Sequence, residues 1–376
     1  MRTLLMPRPP TPNVAASTQV RLVRVGFLAL TDAAPFVAAD HLGLFAQRGL
    51  RVELRREIGW ATIREKIIYG ELEAAQAPAP MLWSAQLGLG CPPCDVLTAF
   101  VLNLHGNALT LSRALREAGV RDAATLRDHV RARRARALLT FGVVFPFSSH
   151  HLLLLDWLRA AGLEPDRDVR VVVVPPAQMF RNLVAGTIDG YCAGEPWNTL
   201  AVREGAGWCP AWSAAQSPGH VEKVLMVTRR FAETRATEHA ALVAALAEAC
   251  AWCDVPSNRP LLAELLSESR WLNLPSRVIA PALLGKFDCG HDRVEHVPDF
   301  HVFHRGQANA PTAEKAVALQ RALGAAGLLS PAAASDSELP RRLFRDDLYR
   351  DALHQHHLHE PTASYDLGGV VPLQRD

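Results

Sequence analysis

The residues of this chain whose types and spacing could do chemistry lie at helix openings, in two cysteine pairs and in a histidine run. Trp60 opens a helical pattern, Ser148, Ser149 and His150 begin another, Pro176 opens a third, and Gly194-Glu195-Pro196 precedes a fourth. A helix start leaves backbone N–H groups free and attracts anions, and serine is a good N-cap. Taken alone, each opening is equally a plain helix start of any α/β protein. Cys91/Cys94 and Cys250/Cys253 have CxxC spacing. Zinc would need both pairs to meet across a long separation, so plain thiols are expected. His354, His356, His357 and His359 form HQHHLH. Such a tract could bind metal, but a flexible tail is the expectation. No GxSxG elbow, P-loop or GxGxxG after a strand is present, and His150-His151 lacks a HExxH context, so no motif supports catalysis.

Strands and helices must alternate to hold these positions. Arg21–Leu30, Val52–Leu54, Ala74–Gln76 and Val96–Leu104 read as strands, with helices over Ala34–Leu42, from Trp60 to Gly70, and over Met81–Leu87. The alternation restarts with a helix at Leu126–Ala132 and a strand at Arg136–Phe141. Helices then follow at Ser148–Gly162, Pro176–Ala185 and Pro196–Glu204, between strands at Val169–Val174, Ile188–Cys192 and Val221–Val227. The β-branched run Val169–Val174 predicts a strand buried on both faces. Two such sets imply two α/β lobes with mainly parallel sheets, whose carboxyl edges are where ligands bind. Ser330–Ala334 reads as a linker, followed by a short amphipathic helix at Leu343–Leu353.

The chain has 376 residues, enough for two or three compact units, and 49% of them are hydrophobic. Forty Lys+Arg against 38 Asp+Glu leave +2, which is no basic surplus for nucleic acid or an anionic membrane. No run approaches the ~18 consecutive apolar residues of a membrane span. Seven cysteines, an odd number, fit a reduced chain better than a disulfide framework. The first twenty residues contain no secretory apolar stretch, so a flexible lead and a cytoplasmic location are expected.

Five blocks carry a resemblance: GFLALTDAAPFVAADHLGLFAQRGL, GWATIREKIIYGELEAAQAPAPM, LNLHGNALTLS, VVVVPPAQMFRNLVAGTIDGYCAGEPWN and EKVLMVT. They resemble the nitrate/bicarbonate-binding (NrtA/CmpA-like) family of bilobal substrate-binding proteins, from about Arg21 to Leu328. That resemblance implies a type II periplasmic-binding-protein fold with two α/β lobes, a hinge and a ligand cleft between them. It divides the chain into a lead (1–20), a first lobe (21–108 and 222–328), a second lobe (109–221) and a linker with tail (329–376).

The resemblance also implies a site. Trp60 matches a tryptophan that contacts the anion, His150 a histidine donor, and Pro176 and Gly194 backbone positions lining the cleft. Lys223 matches the lysine that counters nitrate's charge, a place where bicarbonate binders look to have an acidic residue. Asn107 falls where nitrate binders usually have glutamine. Nitrate is a planar monoanion with acceptors only, so its site is expected to offer donors and one positive charge, with no carboxylate touching the ligand. Phe147-Ser148-Ser149 stands where the family's loop is glycine-rich after Phe-Pro, and the bulk of Phe147 is expected to reshape that side of the cleft.

Members lacking an export signal resemble NasS-type cytoplasmic sensors, which release an RNA-binding antiterminator (NasT-type) when nitrate or nitrite binds. The chain is therefore expected to be such a sensor, with no enzyme activity, no cofactor, no metal, and no direct contact with nucleic acid or membrane. The alternative is the substrate-binding component of an ABC transporter for nitrate or a related anion. A thiamin-pyrimidine synthase on the same fold would need a CCCFC motif, which is absent. A sulfonate or other organic-anion binder is the remaining rival.

Overall fold

A computed structural model of the chain describes residues 21–133 and 137–359. The expected lead at 1–20 and the end of the tail lie outside the described residues. Fourteen strands are described: β1 (Leu22–Leu28), β2 (Arg51–Glu57), β3 (Ala74–Pro78), β4 (Val96–Leu97), β5 (Val101–His105), β6 (Asn107–Ser112), β7 (Leu139–Val143), β8 (Val169–Val173), β9 (Gly190–Gly194), β10 (Gly207–Trp212), β11 (Val221–Thr228), β12 (Lys286–Gly290), β13 (Arg293–His296) and β14 (His301–Val302).

They form two larger sheets. The first runs β14-β5-β11-β3-β1-β2, with β4 also on β11, and the second runs β10-β6-β9-β7-β8. The chain passes from the first sheet to the second at His105-Gly106-Asn107, between β5 and β6. It returns between β10 and β11 through the helix Ser213–Gln216. Both sheets are mixed, not mainly parallel. β1 pairs in parallel with β2 and β3, but β11 runs antiparallel to β3, β4 and β5. In the second sheet β6 is antiparallel to β9 and β10. The strands flanking the two crossings account for the antiparallel pairs, because a chain entering from the other lobe meets the sheet from its opposite end.

Gly106 makes the first crossing possible. Its φ is +102°, and a Cβ there would come 2.8 Å from His301 Nε2, so a side chain would meet both strain and a clash. The Val169–Val173 strand lies at the edge of its sheet and not inside it, which leaves Val173 54% exposed. A β-branched run therefore marked a strand here but not its position in the sheet.

Leu339, Leu343, Phe344, Tyr349 and Leu353 are buried, so the stretch from 329 is no linker. It forms helices Pro331–Ser335, Leu339–Leu343 and Asp346–Gln355. Thr98 N–H donates to Leu343 O at 2.7 Å and Arg345 N–H to Thr98 O at 2.8 Å, tying these helices to the first lobe. The hairpin β12–β13, which falls in the expected first lobe, packs Phe287 against Trp212 and Ala108 of the second. No single described helix is long and apolar enough to cross a membrane. The bent pair Ala236–Asp254 and Pro256–Ser267 passes on length and composition together, but its first helix is packed into the first lobe's core.

Candidate functional site

The interface between the lobes gathers buried polar groups around one strand end. β11 enters the first sheet at Val221, and its second and third residues, Glu222 and Lys223, are both fully buried. Successive side chains of a regular strand point to opposite faces. Here the pairing of β11 with β5 shifts register on both sides of Lys223. At such a bulge neighbouring side chains can reach one another, and Lys223 Nζ donates to Glu222 Oε1 at 2.5 Å. Lys223 Nζ also lies 2.7 Å from Asp32 Oδ2, at the turn that follows β1. Asp32 Oδ1 in turn accepts from Gln76 Nε2 at 2.6 Å.

Glu222 receives donors from the second lobe. Asn107 Nδ2 donates to its Oε2 at 2.6 Å, and Ser149 Oγ donates to the same oxygen. His220 Nε2 lies 3.3 Å from Oε2 and His150 Nε2 3.5 Å from Oε1. Ser149 and His150 are placed by the helix Ser149–Ala160, whose N-cap Ser148 accepts from His151 N–H. Trp60 opens the helix Trp60–Ile68. Its ring lies beneath the ammonium, with Lys223 Nζ 5.3 Å from the centroid, a distance at which a cation is drawn to the aromatic face.

Several of these buried groups have no hydrogen-bond partner among the described residues. They are Trp60 Nε1, both ring nitrogens of His150 and Asn107 Oδ1. Buried polar atoms are normally paired, and each exception needs a reason. Trp60 and His150 are 1% and 0% exposed, so bulk water is not the reason.

The electrostatics follow from burial. Burial alone would raise Glu222's carboxyl, but Lys223 and then His150 outweigh it and hold the group well below the carboxylate range. Burial would lower Lys223, but Asp32 and then Glu222 raise it instead. Burial lifts Asp32's carboxyl, and Lys223 only partly opposes this. Burial pulls His150 down to about 3, leaving a neutral imidazole.

The structure thus brings Trp60, Asn107, His150 and Lys223 into one group. Gly194 borders it: a Cβ there would lie 3.4 Å from Asn107 Oδ1 and from Leu30, so the lobes approach closely at this glycine. Pro176 opens a one-turn 3-10 helix, Pro176–Gln178, and is buried. No hydrogen bond or contact among those described joins it to Glu222 or Lys223.

One expectation is corrected. The group is not free of carboxylates, because Asp32 and Glu222 both contact Lys223. The lysine charge is compensated within the protein and does not stand alone. Neither acid was picked out from sequence, although Asp32 follows the Arg21–Leu30 strand and Glu222 lies beside Lys223. Strict alternation would have sent Glu222 to the opposite face.

The cysteines are free: Cys250 and Cys253 are buried, and Cys91 and Cys94 are half-buried. No group of three or more His, Cys, Asp or Glu among the described residues could hold a metal ion.

A family model described as the NMT1-like family matches residues 16–267. The nitrate import ATP-binding protein NrtC of Synechocystis sp. (strain ATCC 27184 / PCC 6803 / Kazusa) is 36% identical over 331 residues, 87% of this chain and 49% of that protein. The bicarbonate transport ATP-binding protein CmpC of Synechococcus elongatus (strain ATCC 33912 / PCC 7942 / FACHB-805) is 39% identical over 259 residues, 68% of this chain and 39% of that protein. This chain therefore spans about half or less of these relatives' length. The nitrate/nitrite binding protein NrtA of Nostoc sp. (strain PCC 7120 / SAG 25.82 / UTEX 2576) is 29% identical over 300 residues, 76% of this chain and 67% of that one. Among solved structures, the periplasmic nitrate-binding protein NrtA from Synechocystis PCC 6803 superposes with a TM-score of 0.86 at 25% identity, covering 92% of each chain. The fold is the bilobal periplasmic-binding-protein fold.

Proposed function

The chain belongs to the NMT1-like family, and from that premise we propose that it is a binding protein for a small planar oxyanion, nitrate or nitrite, acting as the binding component of an ABC-type import system. The observation that carries this reading is a pair of buried groups without a hydrogen-bond partner, the Trp60 indole N–H and the neutral His150 imidazole with its single N–H, which lie between the lobes around Lys223 and Glu222. A planar anion with oxygens on its rim would accept from both. Contact with both lobes at once would favour their closed arrangement, because a ligand shifts an equilibrium towards the state it binds better. The nitrate- and nitrite-binding relatives support the choice of anion. The reading is one of binding and not of catalysis. Calorimetric titration with nitrate and nitrite tests it, and no heat of binding from either anion would contradict it.

Glu222 favours a specific second reading, bicarbonate. Nitrate offers only acceptors and would face an ionised carboxylate, whereas the hydroxyl of bicarbonate can donate to it. Relatives named for bicarbonate transport are 39–41% identical over the matched region, which supports including this anion in the titration.

The finer reading, a cytoplasmic nitrate/nitrite sensor that releases a NasT-type antiterminator, draws on one observation. The chain is 35–41% identical to relatives named as ATP-binding proteins and 29–30% identical to those named as binding proteins. A module allied to ATP-binding polypeptides suits reporting on the anion as well as delivering it. Partner and anion would then weaken each other's binding by linkage. Equal affinity for an antiterminator partner with and without nitrate would contradict the sensor. The transport reading has the broader support, from both sequence and fold relatives.

A further inference from the structure

We infer that Glu222 is a built-in latch: its carboxylate occupies the donors that an oxyanion would use, and so bridges the two lobes itself. Glu222 belongs to β11, which pairs only with strands of the first sheet. Two of its donors belong to the second lobe. Asn107 begins β6 in the second sheet, and Ser149 begins the helix that packs on it. A carboxylate is planar and negative with two acceptor oxygens, so it resembles nitrate or bicarbonate in shape and hydrogen-bonding character. It is also tied to its own lobe by Lys223, whose ammonium is held from the far side by Asp32. The chain of contacts Asp32–Lys223–Glu222–Ser149 therefore crosses the cleft through fully buried groups, where charge-assisted hydrogen bonds are strong and removing one partner is costly.

Two consequences follow. Closure of the cleft does not require the anion, because Glu222 supplies the interlobe contact. An arriving anion must also take Asn107 Nδ2 and Ser149 Oγ from Glu222, or bind alongside it on Trp60 and His150, so the latch competes with the ligand and lowers its apparent affinity.

The inference rests on the oxyanion reading only for what the latch competes with; the latch itself is tested without any anion. Small-angle scattering on the full chain in nitrate- and bicarbonate-free buffer, for wild type, Ser149→Ala and Glu222→Gln, reads closure directly. Wild type is expected to have the radius of gyration of a compact chain of this length, about 21 Å. Both variants are expected to have a larger radius, which returns to the wild-type value in excess nitrate or bicarbonate. Ser149→Ala removes a donor without touching the buried ion pairs, so it decides the matter should Glu222→Gln fail to fold. An expanded wild type, or a Ser149→Ala protein with the wild-type radius, would overturn the latch. Expanded variants that neither anion restores would leave the latch standing and remove the oxyanion reading instead.

Discussion

Lys223 Nζ lies 2.7 Å from Asp32 Oδ2, joining the turn after β1 to the strand by which the chain re-enters the first lobe. Glu222 contacts the same ammonium, so one positive charge is shared between two carboxylates in a fully buried place. Removing one partner of a buried ion pair leaves uncompensated charge and costs about 3–5 kcal/mol. Lys223→Met is therefore expected to lose about that much stability in urea unfolding. A loss near zero would mean that water reaches the group and that it is not buried as described.

The buried indole N–H of Trp60 has no hydrogen-bond partner among the described residues. A hydrogen bond to a charged acceptor is worth about 1.5–3 kcal/mol. Trp60→Phe keeps an aromatic ring near Lys223 and removes that donor, together with part of the buried ring volume. Its affinity for the bound anion is expected to fall by roughly ten- to a hundredfold, and its melting temperature to fall as well because of the cavity left behind. Unchanged affinity in calorimetry would remove the indole from the site.

Four buried histidines set the response to acid. Burial pulls His105 and His239 down to about 4, and His150 and His301 down to about 3. A base held below its unfolded value, near 6.5, is protonated first in the unfolded chain, so stability falls as pH drops from about 6.5 towards those values. Glu195, lifted to about 7 by burial, runs the other way and offsets about one proton. The net expectation is a urea midpoint that falls as pH drops from about 6.5 to 5, because the lowered histidines outnumber the raised carboxyls of Glu195 and Asp32. His239→Gln, packed against Phe231 and remote from the cleft, should lower that slope by about one proton. A stability profile that stays flat between pH 6.5 and 5 would contradict this.

The helices beyond residue 329 are part of the first lobe's packing. Phe344 packs on Trp83 with ring centroids 5.9 Å apart, and Tyr349 packs on Phe100 at 6.1 Å. Deleting the chain after Leu328 would uncover these apolar surfaces. The shortened protein is expected to be insoluble or to melt well below the full chain. An equally stable truncation would return this region to the status of a linker.

Sequence made the two-lobed alternation legible, because strand and helix periods repeat on either side of the first crossing at Gly106. It placed Trp60 and His150 at helix openings, which alone are equally plain helix starts; the family resemblance, and not the local pattern, singled them out as site residues. The mixed strand directions were not legible, since apolar periodicity carries no information about which end a returning strand enters from. Glu222 and Asp32 stayed hidden for a local reason. Alternation places Glu222 on the face opposite Lys223, and only the register shift in β11 brings them together. Beyond 329 the amphipathic helix expected at Leu343–Leu353 is found at Asp346–Gln355, but the helix Pro331–Ser335 was missed because the Pro/Ala/Ser run at Ser330–Ala334 has the composition of a linker, whereas Ser330 caps a short helix there.

The proposed function turns on whether the buried cluster at Trp60, His150 and Lys223 binds a flat oxyanion. The direct measurement is isothermal titration of the purified chain with nitrate, nitrite, bicarbonate and chloride, repeated on Trp60→Phe. The account predicts one saturable site for at least one of the three oxyanions, weakened in the variant, and no matching site for chloride. Silence from all three oxyanions, or binding that Trp60→Phe leaves untouched, would contradict it.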